Sequence, residues 1–252
     1  MSEVEGETLL VSNSQQDGPH LKWSAYAPKY DAICAYNPAY QENLERLKDY
    51  LRTWELSEDA RIADLGAGTG NFICAMSDVL PHASYTHIDF DPGMNTVARS
   101  KYDQLKSIEV NVIQEYLQRV SIPDESFDLI VCVNVLYAVA PQGLFLSRAR
   151  RWLKPEGRFF IIDFGRKVKI FDWGWYFLKS TIRKHSFGHF VRVLVDNYEF
   201  VRQNKNAQHD FEMGYFWEHS TEEFRELLTS TGFSVEELYT CYRGYCDLAI
   251  CR

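Results

Sequence analysis

The sequence contains no apolar run long enough to cross a bilayer. Its longest, from Leu129 to Ala140, is interrupted by Asn134 and is well short of the roughly 20 residues that a spanning helix needs. Residues 1–7 have neither the basic nor the apolar region of a secretory leader, so a cytoplasmic location is expected. Basic residues are in deficit. The net charge is −8, which argues against general nucleic-acid binding. Cys241, Cys246 and Cys251 recur every five residues, a spacing that fits no common zinc site, and no metal is expected. No three-cysteine cluster suggests iron–sulfur chemistry. Cys74 and Cys132 stand in apolar runs and read as core residues. What the chain does have is core material. It is 46% apolar and 15% aromatic over 252 residues, enough for one large domain.

The rest is arranged around Arg61-Ile62-Ala63-Asp64-Leu65-Gly66-Ala67-Gly68-Thr69-Gly70-Asn71. A strand-like apolar run ends in three glycines at alternate positions. A helical pattern follows from Asn71 to about Leu80, where Pro81 stops it. Glycines let the backbone turn sharply and let a ligand approach without a Cβ in the way. A helix that starts after such a loop presents free N–H groups. The corner is therefore suited to a nucleotide-like ligand. A dinucleotide fingerprint places its third glycine where Asn71 stands, and no lysine follows to make a P-loop. The next strand, from Ser84, ends at Asp89, 19 residues after Gly70. Nucleotide folds set a carboxylate there to accept ribose hydroxyls.

The order Asp-Leu-Gly-x-Gly-x-Gly resembles the first motif of the class I S-adenosylmethionine (SAM)-dependent methyltransferases. Three further stretches resemble later motifs of that family: Asp89-Phe90-Asp91-Pro92-Gly93-Met94, the buried strand from Phe127 to Leu136, and Lys154-Pro155-Glu156-Gly157 before an apolar strand. The resemblance covers about residues 20–165 and 215–252. It implies an α/β, Rossmann-like fold with a seven-stranded sheet, mostly parallel with the last strand antiparallel. Helices are expected on both faces, with a helical insertion after strand five. The final strands, near Ser234–Tyr242 and Cys246–Cys251, are joined by Arg243-Gly244, and so short a hairpin forces antiparallel pairing. Residues 1–19 read as a disordered tail and 20–252 as a single domain. Within it, 20–54 forms a lid and N-terminal helix, and 166–218 a substrate-specificity insertion.

The resemblance also implies roles. SAM is the cofactor, held by Asp64, Gly66, Ala67 and Gly68 in the loop. Asp89 takes the ribose, and Phe90 and Met94 pack on the adenine. Glu115 (or Gln114) accepts from the adenine amino group, with Tyr116 beside it. Val133 and Asn134 contact the methionine part. Tyr26 and Tyr30 match the family's Tyr-x-x-x-Tyr-Asp lid, or pack a helix onto the sheet. Asp91 reads as a helix cap and Asp128 as a tie between loops.

On the acceptor side, many relatives carry histidines just after the fourth strand. This chain has Tyr137 and Ala138 there, so a histidine base is absent at that point. Tyr137 either orients the acceptor or forms a wall. Of His185, His189, His209 and His219, His219 is the first choice as base or acceptor ligand. Asp163 either contacts substrate or pairs with Arg166. Trp173, Tyr176, Tyr215 and Trp217 offer an aromatic wall with cation–π capacity. Between Arg166 and Lys205, nine lysines and arginines face three acids. Such a stretch steers an anionic substrate, rests on a protein or peripheral membrane surface, or is a solvated face. The activity implied is methyl transfer from SAM to a nitrogen, oxygen or carbon of a small molecule. The alternatives are a SAM-binding protein that catalyses another reaction, and a regulatory or scaffold subunit. Asn71 and the closing hairpin oppose a nicotinamide dehydrogenase.

Overall fold

Strands β1 (Arg61–Leu65) and β4 (Phe127–Val133) lie side by side at the centre of one sheet, in parallel register from Ile62↔Leu129 to Leu65↔Cys132. Their near-continuous apolar sequence is what a strand covered on both faces requires. The computed structural model describes residues 22–105, 108–167 and 198–252, with 169, 172, 173, 175, 176 and 179 between them. The expected tail lies outside these residues. So do His185, His189 and most of the basic stretch.

The sheet runs β3-β2-β1-β4-β5-β7-β6, where β2 is Ser84–Ile88, β3 Glu109–Ile113, β5 Leu153–Phe164, β6 Val235–Cys241 and β7 Cys246–Cys251. The pairs of β1 with β2 and β4, of β2 with β3 and of β4 with β5 are parallel. Only β7 is reversed, antiparallel to both β5 and β6. The turn between β6 and β7 spans Tyr242 to Tyr245, longer than the expected Arg243-Gly244, because Tyr242 and Arg243 are both at positive φ in a short 3₁₀ turn.

Side-chain alternation assigns the two faces. Ile62, Leu129, Val131, Phe160 and Ile162 pack on one side with Leu47 and Leu51 of α2 (Pro38–Thr53) and Ile73 and Met76 of α3 (Asn71–Ser77). Ala63, Leu65, Ile130, Cys132, Phe159 and Ile161 pack on the other. There they meet Phe145, Leu146 and Trp152 of α5 (Gln142–Trp152) and Phe224 and Leu228 of α7 (Thr221–Ser230). Helix α4 (Pro92–Tyr102) follows β2, and α6 (Tyr198–Glu212) lies between β5 and α7. No described helix is long and apolar enough to cross a membrane.

An additional helix, α1 (Trp23–Tyr36), precedes α2 and carries Pro28 within it. Other helix ends follow their sequence signals. Asn37 caps α2 ahead of Pro38, and the Asp91 carboxylate accepts the Met94 N–H at the start of α4. Asp128 accepts the Arg61 N–H and pairs with Lys154, so it ties the amino ends of strands β1, β4 and β5 rather than two loops. Ser220 and Glu223 form a reciprocal capping box on α7. Ser220→Ala removes the side-chain acceptor and should cost about 1 kcal/mol of stability, read as a lowered midpoint in urea denaturation with an unchanged slope.

Candidate active site

The chain winds outward from β1 through β2 to β3, then resumes on the other side of β1 at β4. Open α/β sheets bind ligands in the crevice at such a reversal, outside the carboxyl ends of the strands. The glycine loop leaves β1 at this point. Gly66 and Ala67 both donate their N–H groups to the Ile88 carbonyl, at 2.8 and 3.2 Å. A Cβ on Gly66 would lie 2.4 Å from a Val135 methyl, and one on Gly70 would lie 2.1 Å from the Tyr102 hydroxyl. Gly68 is different. A Cβ there would meet only the Gly66 carbonyl, at 4.0 Å, so open space lies over the middle of the loop.

Asp89 stands at the end of β2 and is nearly buried. Its carboxylate accepts the Gly68 N–H through Oδ2 and the Asp91 N–H through Oδ1, both at 2.8 Å. Burial pushes its carboxyl up to about 6, against the pull of those two donors. Asp64 is buried below the loop, and its Oδ2 has no hydrogen-bond partner. Burial first, and then the Asp89 charge, push Asp64 up to about 8. Beside Asp89, the rings of Phe90 and Tyr116 stack at 4.9 Å and 14°, and they remain 40% and 47% exposed. Such exposure of two large rings in contact marks a surface with room for a third flat group. Glu115 accepts the N–H of Tyr116.

Helix α1 rests on this corner. Asp31 accepts the Thr69 hydroxyl at 2.5 Å and pairs with Lys101 at 2.8 Å, and Lys101 also donates to Asn71. Ser24 donates to both oxygens of Asp91. Tyr30 meets Tyr40 edge-on at 6.5 Å. The Tyr26 side chain lies outside the described residues. Met94 is buried against Ala27 and Ile33 of α1. Val133 and Asn134 end β4, with Asn134 at φ +57 and its N–H donated to the Ile162 carbonyl.

The residues expected on the acceptor side form a second group at the ends of β5 and β7. Segment 215–219 crosses the strand ends, where Trp217 N–H donates to the Tyr137 carbonyl and His219 N–H to the Gly165 carbonyl. Tyr137 is buried, stacked on Phe211 and edge-on to Phe164 and Phe216. The His219 ring sits 4.4 Å from Trp217 and 4.8 Å from Phe224. Its side chain is 0% exposed. Nε2 is 3.5 Å from Asp163 and Nδ1 is 3.7 Å from Asp247, both equally buried. Asp163 and Asp247 are register partners on β5 and β7. Burial pushes Asp163 up, while His219 opposes the shift. The expected Asp163–Arg166 pair is corrected: Arg166 takes Asp247 with two nitrogens, at 2.8 and 3.2 Å, and Thr221 donates to the same carboxylate. Asp163 instead accepts the Tyr137 N–H. An open cleft of about 400 Å³ lies against Gly165, Arg166, Glu218, His219, Thr221 and Glu222.

The structure thus brings Tyr137, Asp163, Trp217 and His219 together. Tyr215 begins the same segment, its N–H donated to the Asp210 carbonyl. Trp173 and Tyr176 stand apart, over the β6–β7 turn, where Arg243 lies above both rings and pairs with Asp172. Sequence reasoning overlooked Asp31 and Asp247. Asp31 completes the Tyr-x-x-x-Tyr-Asp form. Asp247 is a lone acid in an otherwise apolar strand, and either signal was available.

Comparison with known proteins bears directly on this arrangement. Residues 63–161, from β1 to β5, match the family model described as a methyltransferase domain. Residues 63–161 thus carry the sequence pattern of a methyltransferase domain, over less than half of the chain. Among curated relatives, a malonyl-[acyl-carrier protein] O-methyltransferase of Geobacter sulfurreducens is 32% identical to this chain. That match covers 55% of this chain and 50% of the relative. A reducing polyketide synthase of a Penicillium species is also 32% identical, over 42% of this chain and 4% of the synthase. The chain spans half or less of the length of these relatives. A SAM-dependent methyltransferase of Aquifex aeolicus shares the fold, with a TM-score of 0.60, 17% identity and coverage of 90% of this chain and 97% of that one. Phosphoethanolamine N-methyltransferase 2 of Haemonchus contortus, solved with SAM, gives 0.53 at 18% identity over 79% of this chain and 38% of that one. The matched stretch holds every residue of the glycine corner, whereas α1 and segment 215–219 lie outside it.

The buried Asp64 generates a pH prediction. Its folded carboxyl keeps a proton up to about pH 8, whereas in the unfolded chain it ionises near the ordinary value of 3.8. Between these limits the native state binds more protons, so this group lowers stability as pH rises. Asp64→Asn should therefore gain in melting temperature over the wild type from pH 5 to pH 8. A difference that stays flat with pH contradicts the assignment.

Proposed function

We propose that this chain transfers a methyl group from SAM to a small-molecule acceptor. The observation that carries the reading is the corner itself: open space over Gly68 beside a carboxylate already tied to the loop. These residues fit the cofactor. Asp89 has lone pairs left for ribose hydroxyls after accepting two N–H groups. The exposed Phe90–Tyr116 face suits the adenine, with Glu115 at its edge and Met94 buried under α1. Asp64, with an unpartnered oxygen, suits a cationic methionine end alongside Gly66, Ala67, Val133 and Asn134. Bound SAM supplies an electrophilic methyl group, so alignment and exclusion of water are the main demands on the protein.

The remaining residues meet those demands. Helix α1, latched through Asp31 and Ser24, covers the corner and keeps water out, with Tyr26 and Tyr30 on its length. This is the lid role proposed for residues 20–54. Segment 215–219 and Tyr137 wall the acceptor side, and the stretch from 166 to 218 selects the acceptor, with Trp173 and Tyr176 on its outer flank. The surplus of lysine and arginine between 166 and 205 supports an anionic acceptor. An amine acceptor needs no base, whereas a hydroxyl or carbon acceptor does. His219 is the candidate. In the present arrangement its buried Nε2 faces Asp163 at 3.5 Å, and His219 reaches an acceptor only when that contact opens. Asp89→Ala should weaken SAM binding by at least about tenfold, the loss of one or two hydrogen bonds to a charged group. Calorimetric titration giving an unchanged Kd would remove the ribose assignment.

A further inference from the structure

Behind the glycine corner lies a buried polar chain that the methyl-transfer reading leaves unused. His87 on β2 is fully buried. Its Nε2 is 2.7 Å from the Asn95 side-chain oxygen, and its Nδ1 is 2.9 Å from the Tyr102 hydroxyl. Asn95 Oδ1 only accepts, so Nε2 carries the proton and Nδ1 accepts the Tyr102 O–H. The Asn95 amide then donates to the backbone carbonyl of Asp89 at 3.0 Å. At the far end, the Tyr102 hydroxyl is the atom that a Cβ on Gly70 would strike. The chain of bonds therefore runs from a hydroxyl packed against the exit of the glycine loop to the backbone of the strand-two acid. Every polar atom in it is satisfied, as a buried network must be if it is to rigidify rather than destabilise. Burial depresses the imidazole to about 4, which keeps the ring neutral and the order of donors and acceptors intact at neutral pH.

We propose that His87, Asn95 and Tyr102 are positioning residues for the cofactor, holding Asp89 at a set distance from the glycine loop. The inference rests on the reading of this corner as the SAM site. Asp89 receives its place from two sides. Its carboxylate is held from the front by the Gly68 and Asp91 N–H groups. Its carbonyl is held from behind by Asn95. Loss of the rear support lets the carboxylate drift with the loop, and the ribose loses its preorganised acceptor.

The test is a double-mutant cycle on binding of S-adenosylhomocysteine, measured by calorimetry. Asn95→Ala should weaken binding about tenfold in the wild-type background, the equivalent of one hydrogen bond. Tyr102→Phe should weaken it about threefold. In an Asp89→Ala background both changes should lose nearly all of their effect, because residues acting through one group are not additive. A merely structural role predicts the same loss in both backgrounds, and that result overturns the inference. So does unchanged affinity in the wild-type background. If Asn95→Ala does not fold, Tyr102→Phe, which deletes a single hydroxyl, decides by the same comparison. A wild-type protein that fails to bind S-adenosylhomocysteine overturns the SAM reading itself, a result separate from any behaviour of the variants.

Discussion

The hydrogen bond from the Gly68 N–H to the Asp89 carboxylate is the contact on which the carboxyl edge of this sheet depends. It exists only because β1 and β2 are parallel neighbours in register, with Leu65 beside Ile88. That register brings the start of the loop under the Ile88 carbonyl and the middle of the loop onto the next residue's side chain. The glycines serve this closure. Two of them let Val135 and Tyr102 press against the backbone, and the third leaves space above. A charged group is thereby held nearly buried at the mouth of the crevice. The cost is visible in the raised carboxyls of Asp89 and Asp64. Perturbed carboxyls in a crevice are what a binding site is expected to show.

Three strands away along the same edge, a second group of buried charges solves a different problem. Asp163 and Asp247 are opposite each other on β5 and β7, an arrangement that is repulsive when both are ionised. The His219 ring stands between them, and Arg166 and Thr221 satisfy Asp247 from the side. The same histidine belongs to the segment that crosses the strand ends. Its backbone is clamped to Gly165, and a Cβ at Gly165 would lie 2.6 Å from the His219 carbonyl. The segment over β5 and β7 is thus fastened through its charges, and the corner between β1 and β2 through its glycines.

Much of this was legible in the chain. The glycine corner, the acid ending β2 and the reversed β7 are local features, read from spacing and turn residues. Helix caps at Asp91 and Ser220 were equally readable, because the cap and its partner lie three residues apart. Contacts between residues far apart in the chain were not. Nothing near Arg166 says that its partner is 81 residues away at Asp247 rather than three away at Asp163. Helix α1 had no clear signal either, since its aromatic residues fall on several sides and Pro28 lies inside it. The role of His87 is invisible for the same reason: it arises where a strand, a helix and a loop meet.

The central claim is that this corner presents a methyl donor to an acceptor. The most direct measurement is incubation of the full chain with methyl-labelled SAM and a metabolite extract, followed by mass spectrometry. The account predicts a small molecule that gains the labelled methyl group, with S-adenosylhomocysteine formed in equal amount. Tight binding of SAM with no labelled product would contradict it and leave a SAM-binding regulatory protein in its place.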